Sequence, residues 1–145
     1  MKPPGTESLL LHYRDQELYE AFRREMIAAR RINKRYIYRR LADTPSSRFW
    51  VTHRSANNIL TKMFRAYQRQ EDPAALLHSL TPVRREMYTE LFARALRLFS
   101  QYPTMHISDI SKRVVVQPAP KFYLTPASIH RTLRLYIRSL RSARQ

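Results

Sequence analysis

Five histidines, at positions 12, 53, 78, 106 and 130, and nine tyrosines are the side chains best able to move protons or hold a metal. No two of the histidines stand at the short spacing that a zinc or iron site built on one helix requires. The absence of cysteine removes thiolate metal sites, disulfides and thiol catalysis together. A single glycine excludes the glycine-rich loops that cradle phosphates. Glu17 with Glu20, and Glu86 with Glu90, share a helix face as a metal-dependent nuclease would need. Carboxylates on a basic helix more often balance neighbouring arginines, however. His53–Arg54 and His130–Arg131, with the tyrosines, supply the residue types of a strand-transfer site but not its wider pattern. The expectation is a chain that is not an enzyme and needs neither cofactor nor metal.

The chemistry that remains is cationic. The formal charge is +16 and the pI is near 11.0, more than solubility requires, so self-repulsion calls for a polyanionic partner. Twenty-two of the 27 basic residues are arginine, whose planar fork suits bidentate contact with phosphate or guanine. The charge is also segregated. Residues 30–69 carry 11 basic residues against one acid, and 94–145 carry 10 against one. Residues 1–29 and 70–93 are slightly acidic at −1 and −2, which separates a scaffold from a binding surface.

The elements that must position these cations read as a repeat. Residues 35–65 align without a gap on 108–138 at an offset of 73, with eight of 31 positions identical where chance gives roughly two. Upstream, QELYEAF from Gln16 matches REMYTEL from Arg85 at an offset of 69. The expected fold is all-α: two tandem three-helix modules at 1–68 and 82–145, related by internal duplication and joined by a linker at 69–81 holding a short helix.

Helix A is expected from Gln16 to Ile32 and again from Pro82 to Ser100, on 3.6-residue apolar spacing. Helix B is expected over Lys34–Ala42 and Ile107–Val115, stopped before Pro45 and Pro118. The run from Val114 to Val116 leaves a strand open as the alternative. Extended segments RFWVT and KFYLT follow, with Phe49 and Val51, or Phe122 and Leu124, on one face. Arg48 with Trp50, and Lys121 with Tyr123, occupy the other, where the aromatics either stack on a base or pack in a small core. Thr52 and Thr125 then cap helix C, with Pro126 at the first turn of the second copy.

A three-helix unit whose third helix is capped, polar outside and preceded by a turn resembles the helix-turn-helix family of DNA-binding proteins. About nine residues separate helices B and C where that family has three or four. The string PAPKFYLTP is also similar to one in small bacterial proteins of no assigned activity. The resemblance implies a sequence-preferring duplex DNA binder with a regulatory role, the copies acting as a covalent pseudo-dimer on adjacent half-sites.

Helix C would present His53, Arg54, Asn57, Asn58 and Thr61 in the first copy, and His130, Arg131 and Arg134 in the second, to base edges. Arg35, Arg39, Arg40, Arg48, Lys112, Arg113 and Lys121 would hold phosphates. An RNA-binding or ribosome-associated protein, and an adaptor for an acidic protein, stand as alternatives. The apolar run Leu9–Leu11 is too short for a signal peptide and no stretch approaches a membrane span, so a cytoplasmic, nucleoid-associated location is expected. Disorder is expected only at the ends.

Overall fold

The computed structural model describes residues 6–144, so the expected disorder at the extreme ends lies outside the described residues. The chain is all-α: α1 Thr6–Ala28, α2 Lys34–Ala42, α3 His53–Gln68, α4 Pro82–Gln101, α5 Ile107–Val115 and α6 Pro126–Ala143, with a 3-10 helix at Pro73–Leu77. Among the described residues no strand forms, and one antiparallel bridge joins Ser46 to Ala119 through reciprocal N–H···O bonds of 2.9 Å. Val114 and Val115 are helical, which settles the strand alternative for them.

The helix starts follow from their caps. Thr52 accepts from Ser55 N at 3.2 Å, and Thr125 accepts from Ser128 N at 3.1 Å, each relieving one orphan donor of the first turn. Asn33 does the same for α2 through Tyr36 N, and Asp72 for the 3-10 helix through Ala74 N. Thr81 occupies the cap position of α4 without a side-chain bond, so Pro82 carries that start. Helix α1 begins ten residues before the expected Gln16 and stops at Ala28, short of Ile32. No breaker interrupts 6–28, and Glu7 complements the dipole of the first turn. At the end of α3, Gln70 takes a left-handed φ of 61°; Gln70 N then reaches Tyr67 O and Glu71 N reaches Ala66 O, a Schellman closure. Replacing Thr125 by alanine is expected to cost about 0.5–2 kcal/mol through the lost cap. Thermal unfolding measures it, and an unchanged curve would refute that helix start.

The helices do not assemble as the expected halves. Among the described residues one compact unit comprises 6–46 with 119–144, and the other is 47–118. Helices α1, α2 and α6 therefore pack together, while α3 packs on α4, α5 and the 3-10 helix. Both helices expected to be third in their modules are exchanged, and 69–81 is not a linker but part of the second unit, with Leu77 buried.

The physical reason lies in the connections. After α2 the chain passes Pro45 and is tied at Ser46 to Ala119 before it leads on to Phe49. Phe49, wholly buried, then enters the second unit, its N–H donating to Val115 O at 2.9 Å. The returning segment has its own irregularity. Tyr123 adopts a φ of 59°, which breaks the expected alternation and buries its ring while leaving Leu124 half-buried.

The core of the first unit contains Leu18, Ala21, Ile37, Leu41, Ile129 and Leu133. Glu17 accepts from Ser46 Oγ at 2.9 Å, tying α1 to the bridge. In the second unit Leu60, Met63 and Phe64 of α3 meet Leu91, Ile110 and Val114 in the core, and the Phe64 ring lies 5.4 Å from Phe92 and 5.7 Å from Phe99. One pair of positions related by the 73-residue offset meets in each unit. Tyr38 of α2 stacks on His130 of α6, and the residues offset from them, Ser111 and Asn57, hydrogen bond between α5 and α3.

Candidate nucleic-acid interface

Each unit is cationic by itself. The first holds fifteen basic residues against six acids, the second 11 against five. In the second unit α3 buries a stripe of Ala56, Leu60, Met63 and Phe64, in the first α6 buries Ile129 and Leu133, and the 3.6-residue period turns the cations outward.

On α3, Arg54, Asn58, Thr61, Lys62 and Arg65 border one open groove along the helix. Arg54, Asn58, Lys62 and Arg65 are exposed. On α6, Arg131, Arg134, Arg138 and Arg141 form the matching exposed row. At 1.5 Å per residue each row is about 15 Å long, a length over which a duplex carries on the order of nine phosphate charges. Among the described residues none of these arginines, nor Lys62, enters an ion pair. The guanidinium groups are therefore free of internal competition for an external anion.

The remaining expected residues divide into two groups. Arg35 and Arg39 on α2, and Lys112 and Arg113 on α5, are exposed on short helices whose other faces bury Ile37 with Leu41, and Ile110 with Val114. They suit non-specific phosphate contact. The others are engaged by neighbouring groups, Arg40 while still exposed. Arg40 lies over the Tyr36 ring and makes a two-point contact with Glu25, at 2.9 and 3.4 Å; hydrogen bonding with Tyr36 first, and then with Glu25, holds its pKa above the usual arginine value. Arg48 donates to Phe49 O and Val51 O and covers the Trp50 ring at 5.6 Å. Desolvation by burial lowers its pKa. Lys121 lies 3.9 Å from Asp43.

Expected base-reading side chains are also held by neighbours, His130 while remaining exposed. Asn57 Oδ1 accepts from Ser111 Oγ at 3.2 Å, and the His130 ring stacks on Tyr38 at 4.9 Å with an interplanar angle of 16°. His53 Nε2 lies 3.0 Å from Ser108 O, which commits the neighbouring imidazole as well. Trp50 is half-buried beneath Arg48 and Tyr123 is buried, so their packing alternative holds. Lys62, Arg65, Arg138 and Arg141 belong to the exposed rows, beyond the first turns of helix C that hold the expected residues. Their spacing from Arg54 and Arg131 was the available signal.

Comparison with protein-family models, curated proteins and solved structures finds no match. The chemistry of the surface therefore has to carry the functional reading alone. Among the described residues no three histidine or carboxylate side chains gather as metal ligands, and no helix is long and apolar enough to cross a membrane.

Proposed function

We propose that this chain is a non-enzymatic nucleic-acid-binding protein that engages duplex DNA through the exposed rows of α3 and α6 in a regulatory role. The observation that carries this reading is the pair of unpaired arginine-rich rows on capped helices, set apart from the carboxylates concentrated on α1 and α4. An acidic protein surface would not require two rows of such length and single sign.

The helix-turn-helix resemblance then takes a modified form. The pairs available to act as a positioning helix and a contacting helix are α2 with α6 and α5 with α3, each assembled from non-consecutive parts of the chain. Arg54 and Asn58 can address guanine and adenine edges, and Arg131 and Arg134 can address guanine. Lys62, Arg65, Arg138 and Arg141 continue each contact along the phosphates.

The test is duplex affinity against salt. Log K is expected to fall linearly with log salt at about −0.9 per phosphate neutralised. Removing Lys62 and Arg65 together is expected to flatten the slope by up to about two, with sequence preference kept, whereas Asn58→Ala is expected to relax preference at one base position by about 1–3 kcal/mol. A salt-insensitive complex would refute the duplex reading. Selection from a random duplex library with a structured RNA competitor separates DNA from RNA.

A further inference from the structure

Within the first unit, α1, α2 and α6 enclose a cavity of about 350 Å³ with an apolar floor that includes Phe22, Met26, Leu133 and Ile137. Its rim is cationic, carrying Lys34, Arg134, Arg138 and Arg141, and no carboxylate lines it. Three rings form a ladder beside it. Phe22 and Tyr38 stand 6.2 Å apart at 21°, Tyr38 and His130 4.9 Å apart at 16°, so a buried ring leads through a half-buried one to an exposed imidazole.

The second unit lacks this arrangement. The positions offset by 73 from Tyr38 and His130 are Ser111 and Asn57, which bond to one another instead of presenting rings. Thr61 stands where the first unit has Arg134, and Phe64, where it has Ile137, is covered by Phe92 and Phe99. The cavity is thus particular to the first unit.

A ring ladder beside an apolar floor, with cations on the rim, has the chemistry of a nucleotide: a flat, apolar-faced base attached to phosphate. Stacking on aromatic side chains accepts any base, and the rim arginines suit phosphate oxygens in a bidentate manner. The volume falls at the small end of ligand cavities, about 300–1,000 Å³, which matches one base with its sugar better than a long acyl chain. We propose that this cavity receives a single unpaired nucleotide, its base stacked on the outer end of the ladder at His130, which Tyr38 backs, and its phosphate held by Lys34, Arg134 and Arg138. Where that nucleotide belongs to a strand, the proposal rests on the nucleic-acid reading above; a free nucleotide would supply the same chemistry without it.

The test uses the full chain with three probes: a paired duplex, the same duplex carrying a one-nucleotide 2-aminopurine bulge, and AMP. The bulged duplex is expected to bind about tenfold more tightly than the paired one, with altered fluorescence of the bulged base. His130→Ala, at an exposed position, and Tyr38→Leu should each erase that advantage and keep paired-duplex affinity. Equal affinity for both duplexes with no binding of AMP overturns the cavity while leaving duplex binding in place. Binding of AMP, sensitive to His130→Ala, without a bulge preference assigns the site to a free nucleotide. If neither duplex binds but AMP does, the cavity stands and the duplex reading falls; if nothing binds, both fall.

Discussion

Cutting the chain between Ser79 and Leu80 is expected to leave two fragments that are each largely unfolded and that regain helical structure when mixed in equal amounts. Both residues lie outside the helices, so the cut itself breaks none of them. Fragment 1–79 keeps α1 and α2 but lacks α6, and keeps α3 but lacks α4 and α5. Leu18, Ile37 and Leu41 on one side, and Leu60, Met63 and Phe64 on the other, lose the partners that bury them.

At about 1.5–3 kcal/mol for each buried apolar side chain, the loss is of the same order as the roughly 5–15 kcal/mol by which a domain of this kind is stable. Isolated helices of nine to 23 residues do not offset it in water. Circular dichroism of each fragment and of the mixture measures the effect. A cooperative unfolding transition in either fragment alone would show that consecutive helices suffice, contrary to the exchanged arrangement.

The second large effect is expected at Arg94. Its Nε donates to Glu90 Oε1 at 2.9 Å, and its Nη1 donates to Pro118 O at 2.7 Å and Gln117 Oε1 at 3.3 Å. The guanidinium also covers the Phe49 ring at 4.9 Å. One side chain on α4 thereby holds both segments by which the chain enters and leaves the second unit. Only 20% of it is exposed, so water screens these bonds less than at a free surface.

Hydrogen bonds to a charged group are worth about 1.5–3 kcal/mol each and add poorly within one network, so Arg94→Met is expected to cost about 2–4 kcal/mol. Arg97→Met, at an exposed position on the same helix, should cost under about 0.5 kcal/mol. Urea unfolding of the two variants gives the comparison through the midpoint at constant slope. Equal midpoints would remove Arg94 from its anchoring role.

The local structure was legible because its causes are local. Prolines at 45 and 118 and the threonines at 52 and 125 carry their own geometry, and they place the bounds of α2 and α5 and the starts of α3 and α6. Which helices pack together was not legible, for an equally physical reason. The apolar stripes of α3 and α6 are so alike, Leu60 aligning with Leu133 and Ala56 with Ile129, that either could cover either pair of partners. The choice is made by extended connections and by Arg94, whose partner carbonyl at Pro118 lies 24 residues away.

The candidate interface divides in the same way. Arg54, Asn58, Arg131 and Arg134 follow from helical period alone, whereas Asn57 is withdrawn by a serine 54 residues further along the chain. The cavity beside Tyr38 was invisible because it needs α6 against α1 and α2, and the expected modules separated them.

The exchange of the third helices also sets the order in which the molecule can be completed during synthesis. Residues 47–118 form a continuous stretch and can close as soon as α5 has emerged from the ribosome. Helices α1 and α2, though made first, must wait for α6. The residues between Ser46 and Ala119 take about 4–14 s to add at 5–20 residues per second. Throughout that interval the faces bearing Leu18, Ile37 and Leu41 lack their final cover, which makes the nascent amino-terminal third a natural client for a chaperone and leaves a message truncated before α6 with a product open to proteolysis.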